Sequence, residues 1–109
     1  MPAPNEVTVD PATNSCSPAT VPATGRPAKL KFKLKDPSQW QWYGTSPVVV
    51  QDGVAQFPTP SSIHPSSGAV HLDDNNTDTN AYKYSVTATH KHTGQQVNID
   101  PIIQNGADK

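Results

Sequence analysis

Two histidines stand two residues apart in His90-Lys91-His92. On an extended strand, residues two apart face the same way. Two imidazoles so placed could clamp one Zn, Cu or Ni ion. Metal sites need three or four ligands, so His64 or His71 would have to join them. The plain alternative is a pair of solvated histidines where a strand meets a turn. A second pattern, Asp74-x-Asn76-x-Asp78-x-Asn80, alternates oxygen-bearing side chains as the start of a calcium loop does. The match then lapses: Thr79 stands where the loop's glycine belongs, and Ser85 where its bidentate glutamate belongs. An ordinary polar loop is the simpler reading. A third group, Trp40, Trp42 and Tyr43, could offer sugar rings a stacking platform, unless a tryptophan is claimed by the core. Cys16 has no positive neighbour in sequence to activate it, so it is not read as a nucleophile, although oxidation could pair two copies through it. Asn75-Asn76-Thr77 is a formal glycosylation sequon and matters only in a eukaryotic secretory setting.

Enzyme signatures are missing. The chain has no Gly-x-Ser-x-Gly, no glycine-rich phosphate loop and no His-Glu-x-x-His. Its one glutamate is Glu6, and its adjacent carboxylates Asp73 and Asp74 sit in a polar run with no apolar wall to raise a pKa. No catalytic residue is assigned. The formal net charge of -1 gives no electrostatic case for nucleic acid or an anionic membrane surface. No apolar run is long enough to span a bilayer. Without a basic start and an apolar core the N-terminus does not read as a secretory signal, so the default compartment is the cytoplasm. A leader trimmed from the chain would instead place it in the periplasm or outside the cell.

The positioning elements read as strands. At 109 residues there is material for one domain. Leucine occurs only at 30, 34 and 72, so good helix formers are scarce, and Val, Ile, Thr and the aromatics carry the ordered-looking segments. Lys29–Lys35 alternates strictly, with Leu30, Phe32 and Leu34 on one face and four lysines on the other. The lysines could form a basic stripe for an acidic partner, but they read more simply as a solvated face or as protection of an edge strand. Trp40–Trp42 and Val48–Val50 follow, and Asp52-Gly53 predicts a hairpin returning over 54–57. After a proline-rich loop, a short strand covers 69–72. Residues 81–92 predict the longest strand, with Tyr82, Tyr84, Val86 and Ala88 inward and His90 and His92 continuing that face. Thr93-Gly94 turns the chain into Gln96–Ile99, and Ile102-Ile103 adds a last apolar pair. The expected core is Leu30, Phe32, Leu34, one or both tryptophans, Val49, Phe57, Val70, Leu72, Tyr82, Tyr84, Val86, Val97 and Ile99.

Of the 12 prolines, Pro2, Pro4, Pro11, Pro18, Pro22 and Pro27 crowd the start. Residues 1–28 are therefore expected as a disordered, partly polyproline-II arm, 29–105 as the domain, and 106–109 as a frayed end.

Three segments together, Tyr82-Lys83-Tyr84-Ser85-Val86, His92-Thr93-Gly94 and Asp100-Pro101-Ile102-Ile103-Gln104-Asn105, resemble a group of small bacterial proteins of unknown function. The resemblance implies an immunoglobulin-like or cupredoxin-like antiparallel β-sandwich and no particular activity. A blue-copper site is not implied, because Cys16 lies far from the C-terminal hairpin and the one methionine is Met1. The expectation is an all-β, non-enzymatic interaction or structural module. Its partner is a protein or a second copy, with no nucleic acid and no membrane. A transition metal at His90 and His92, or a carbohydrate at Trp40, Trp42 and Tyr43, is the alternative. No cofactor is called for.

Overall fold

A computed structural model describes residues 5–25, 27–44, 46–51, 56–64 and 68–108. They form an all-β sandwich of two packed sheets. The first sheet has the order β2 (Ser15–Ser17), β1 (Glu6–Asp10), β4 (Ala28–Leu34), β8 (Val70–Asp74), β7 (Ser62–Ile63). The second is built on β9 (Ala81–His90). Along one edge of β9 run β10 (Gln96–Ile99) and β11 (Ile102–Asp108), in one continuous register interrupted at Asp100-Pro101. Along the other edge run β5 (Trp40–Trp42) and β6 (Val48–Val50), and β3 (Thr20–Thr24) lies outside β11. The expected hairpin at Asp52-Gly53 lies outside the described residues. Val48–Val50 takes β9 as its partner. No described helix is long and apolar enough to cross a membrane.

The structure departs most from the sequence reading at the start of the chain. Residues 5–25 were expected as part of a flexible arm, yet they supply three strands and a 3-10 turn, Pro11–Thr13. Glu6–Asp10 alternates, with Val7 and Val9 wholly buried, and lies parallel to β4. Val21 and Ala23 of β3 are buried as well. The prolines sit where a missing N–H does least harm. Pro11 opens the 3-10 turn, and Pro22 lies exposed on the outermost strand of its sheet. The β1–β4 and β3–β11 pairs are parallel, so the sheets are mixed and not purely antiparallel. The C-terminus continues as a strand through Asp108, where fraying was expected from 106.

The core follows the alternation. Leu30, Phe32, Val70 and Leu72 of the first sheet meet Tyr84, Val86 and Ile103 of the second. The Phe32 and Tyr84 rings pack at 5.3 Å. Val49 was placed in this core, but Val48 points inward and Val49 is 54% exposed. The lysine stripe is not an edge device, because β4 is the middle strand of its sheet. Its outer face meets carboxylates on neighbouring strands: Lys33–Glu6 at 2.7 Å, Lys35–Asp10 at 3.5 Å and Lys29–Asp73 at 3.6 Å.

Candidate functional site

The long strand β9 ends at His90, and residues 91–93 are already turn. His92 therefore does not continue the inner face as expected. The His90 ring faces two neighbours. It stands edge-on to Trp40 at 4.8 Å, and its Nδ1 accepts the backbone N–H groups of His92 (3.2 Å) and Thr93 (3.3 Å). With Nδ1 accepting, the neutral ring carries its proton on Nε2. A metal at Nε2 would need the other tautomer and would break both turn bonds. The His90 and His92 rings lie 5.7 Å apart.

The other two histidines form a separate pair on the first sheet. His71 lies on β8, His64 follows β7, and their rings lie 5.2 Å apart at 32°. The His64 N–H donates to Ala69 O and the Gly68 N–H to His64 O. The four histidines thus divide two and two between the sheets. Among the described residues no three His, Cys, Asp or Glu side chains gather in a way that could hold a metal ion.

The aromatic triplet is divided by the pleat. Trp40 and Trp42 share the inner side of β5, as alternation requires. Trp40 is 7% exposed beneath His90. Trp42 is half-buried against the core and its Nε1–H donates to Gly68 O at 2.7 Å. Tyr43 faces the other way and is 52% exposed. A flat platform of all three, one of the two readings the sequence left open, does not form: two rings brace the sandwich and Tyr43 alone is exposed.

What Tyr43 does share is the outer face of the second sheet. Its N–H bonds Thr87 O, and Val49 lies opposite Ser85. Tyr43, Gly44, Ser46, Pro47, Val49, Ser85 and Thr87 surround a shallow depression of about 290 Å³. Beyond it the outward side chains of β5, β9 and β10 are Gln41, Thr89, Gln96 and Asn98, so this part of the face is hydrogen-bonding and uncharged. No family model matches the chain, and no curated protein matches it.

On the free side of β6, one residue caps Val48. Residues 47 and 51 turn their backbone groups toward β9, so those of Val48 point outward. There the Ser61 hydroxyl accepts the Val48 N–H (3.2 Å) and donates to Val48 O (2.7 Å). Ser61 thus stands in for a neighbouring strand. The segment 58–68 was expected as an irregular loop, but Ser62–Ile63 in it forms β7, and nothing in the sequence singles Ser61 out from the neighbouring serines.

Cys16, expected in a mobile arm, is buried on β2 beside Tyr84. Burial pushes its thiol up to about 11, which leaves it protonated and unreactive at neutral pH.

Proposed function

We propose that this chain is a non-enzymatic interaction module whose contact surface is the outer face of β5, β6 and β9, and that its occupant is a second copy of the chain. The observation that carries this reading is that Tyr43 and Val49, 52% and 54% exposed, project from one face and flank one depression. A two-fold contact needs a surface that is complementary to itself. Here the projecting residues and the small residues that could receive them, Gly44, Ser46 and Ser85, lie side by side. A net charge of -1 opposes association weakly. An exposed tyrosine supplies contact area at a low cost in conformational freedom.

Sedimentation velocity over a concentration series tests it. The full chain should shift from monomer toward dimer as concentration rises, and Val49→Asp should stay monomeric with an unchanged far-UV CD spectrum. A wild-type chain that remains monomeric throughout would reject the reading.

One observation favours a second reading. The face around Tyr43 carries Gln41, Thr87, Thr89 and Asn98, which are neutral donors and acceptors of the kind that hold sugar hydroxyls, next to an exposed ring on which a sugar could stack. On this reading the carbohydrate site centres on Tyr43, with Trp40 and Trp42 only supporting β5. A glycan array probed with wild type and Tyr43→Ala separates the two: glycan binding that depends on Tyr43 selects it, and a blank array removes it.

A further inference from the structure

Asn105-Gly106 is the one Asn-Gly pair of the sequence. Asparagine is chemically labile, and most so before glycine, where no side chain keeps the next backbone nitrogen from the asparagine amide carbon. Such a pair ordinarily marks a turn. Here it lies inside β11, where the register against β3 slips between Gln104 and Asp108, and Gly106 takes φ 84°. The slip and the left-handed glycine together mark a bulge.

The fold holds the two reacting groups by different partners. Asn105 is 2% exposed, and its Nδ2 donates to Gln56 Oε1 (3.1 Å) and Asp78 Oδ1 (3.0 Å). The Gly106 N–H donates to Asn76 Oδ1 at 2.7 Å. Asn76 is itself buried and fixed, its Nδ2 donating to Ala23 O (3.2 Å) and Gly25 O (2.8 Å). Cyclisation needs the Gly106 nitrogen to lose its proton, and in the fold that proton rests on an amide oxygen, which is too weak a base to take it. It also needs the Asn105 side chain to leave Gln56 and Asp78.

The same contacts make this place intolerant of the product. Gln56 presents its oxygen to Asn105, because that oxygen also accepts the Thr77 N–H at 2.9 Å and the Gln56 Nε2 donates to the Thr77 hydroxyl at 2.7 Å. Asp78 presents a carboxylate, and the Asp74 carboxyl lies within hydrogen-bonding reach of the Asn105 side chain. An N–H donor is required here. An oxygen in its place would meet a carbonyl and two carboxyl groups in a buried setting, where unpaired acceptors and like charges are costly.

We propose that Asn105-Gly106 is a latent deamidation site, closed by the fold and reacting only in a chain that has opened there, and that the reaction keeps the chain from closing again. In the opened chain hydroxide takes the Gly106 amide proton and the nitrogen attacks Asn105 Cγ. The new N–C bond forms, the Cγ–Nδ2 bond breaks, and Nδ2 leaves as ammonia. Water then opens the cyclic imide at either carbonyl, leaving aspartate or isoaspartate at position 105 and one more negative charge. β11 pairs β9 on one side and β3 on the other, so a chain that cannot close here loses the hold on β3 as well. The site is independent of the contact face around Tyr43.

The test follows the full chain at pH 8 by peptide mapping with mass spectrometry, folded and in urea above the unfolding midpoint. Ammonia should be lost at position 105 in urea, and the folded chain should react more slowly by about a hundredfold or more. Asn76→Ala frees the Gly106 N–H. Normalised to the unfolded fraction, its folded-state rate should exceed that of Val9→Ala, which lowers stability without touching the site. After dilution from urea the reacted chain should unfold at a lower urea midpoint than the unreacted one, and Asn105→Asp, made directly, should do the same. Equal rates for the wild-type chain folded and in urea would overturn the closed site, whether or not Asn76→Ala folds. A reacted chain that regains the wild-type midpoint would overturn the one-way step.

Discussion

Val9→Ala separates a structural N-terminal segment from a dispensable one. Val9 is wholly buried on β1, paired with Cys16 of β2 on one side and Leu34 of β4 on the other. The substitution removes two methyl groups from a filled interior. Each buried methyl is worth about 0.5–1.5 kcal/mol once the cavity is included. The expected loss is about 2 kcal/mol, a sizeable share of the roughly 5–15 kcal/mol that holds a domain of this size. That corresponds to a fall in unfolding temperature of about 10 °C. Urea unfolding followed by tryptophan fluorescence gives the same quantity, and the m-value should not change, because the surface exposed on unfolding is nearly the same. Ala12→Ser, on the exposed side of the 3-10 turn, is the control and should stay within about 0.5 kcal/mol of wild type. If Val9→Ala also stayed within that margin, residues 6–10 would contribute no core, and their place beside β4 would be wrong.

Three further outcomes follow from the same packing. Ser61→Ala leaves the outward N–H and C=O of Val48 unpaired beneath the surface and should cost about 1–3 kcal/mol in urea unfolding, where an ordinary surface serine would cost almost nothing. The Cys16 thiol should resist a disulfide reagent in the native chain and react as urea crosses the unfolding midpoint; rapid modification without denaturant would show that β2 is open. Lys33 chiefly holds the Glu6 carboxyl below its ordinary value, and Thr13, with Lys35 behind it, does the same for Asp10. Their stabilisation is present above the ordinary carboxylate range and is lost as pH falls through the lowered values, so acid unfolding should become less steep in Lys33→Met.

β4 and β9 were legible because they obey period two over several residues. Tyr84, Val86 and Ala88 on β9, and Leu30, Phe32 and Leu34 on β4, announce an inner face that no turn residue interrupts. The first quarter was not legible for two physical reasons. Its strands are short, so Val7 with Val9 and Val21 with Ala23 give only one repeat of the alternation each. Pro22 carries a loop signal that its place on the outermost strand cancels, and edge position is a property of the finished sheet. The same holds for the site residues. The Trp40–Tyr43 spacing correctly divides the rings between two faces once β5 is placed, but which face is core depends on β9. For His90 the sequence pattern measured spacing only. It could not show that the ring turns back to accept two backbone N–H groups and so ends the strand it was expected to extend. Asn105, Gln56 and Ser61 act through partners between 13 and 49 residues away, and local pattern contains no trace of such pairs.

The contact face proposed for the module can be examined residue by residue. In the ¹⁵N-labelled chain, amide shifts recorded on serial dilution should move at Tyr43, Gly44, Val49, Ser85 and Thr87, while those of β1, β4 and β8 stay fixed. Shifts that do not change with concentration at those five positions, or that change instead on the lysine face of β4, would contradict the assignment of the outer face of β5, β6 and β9 as the surface through which two copies meet.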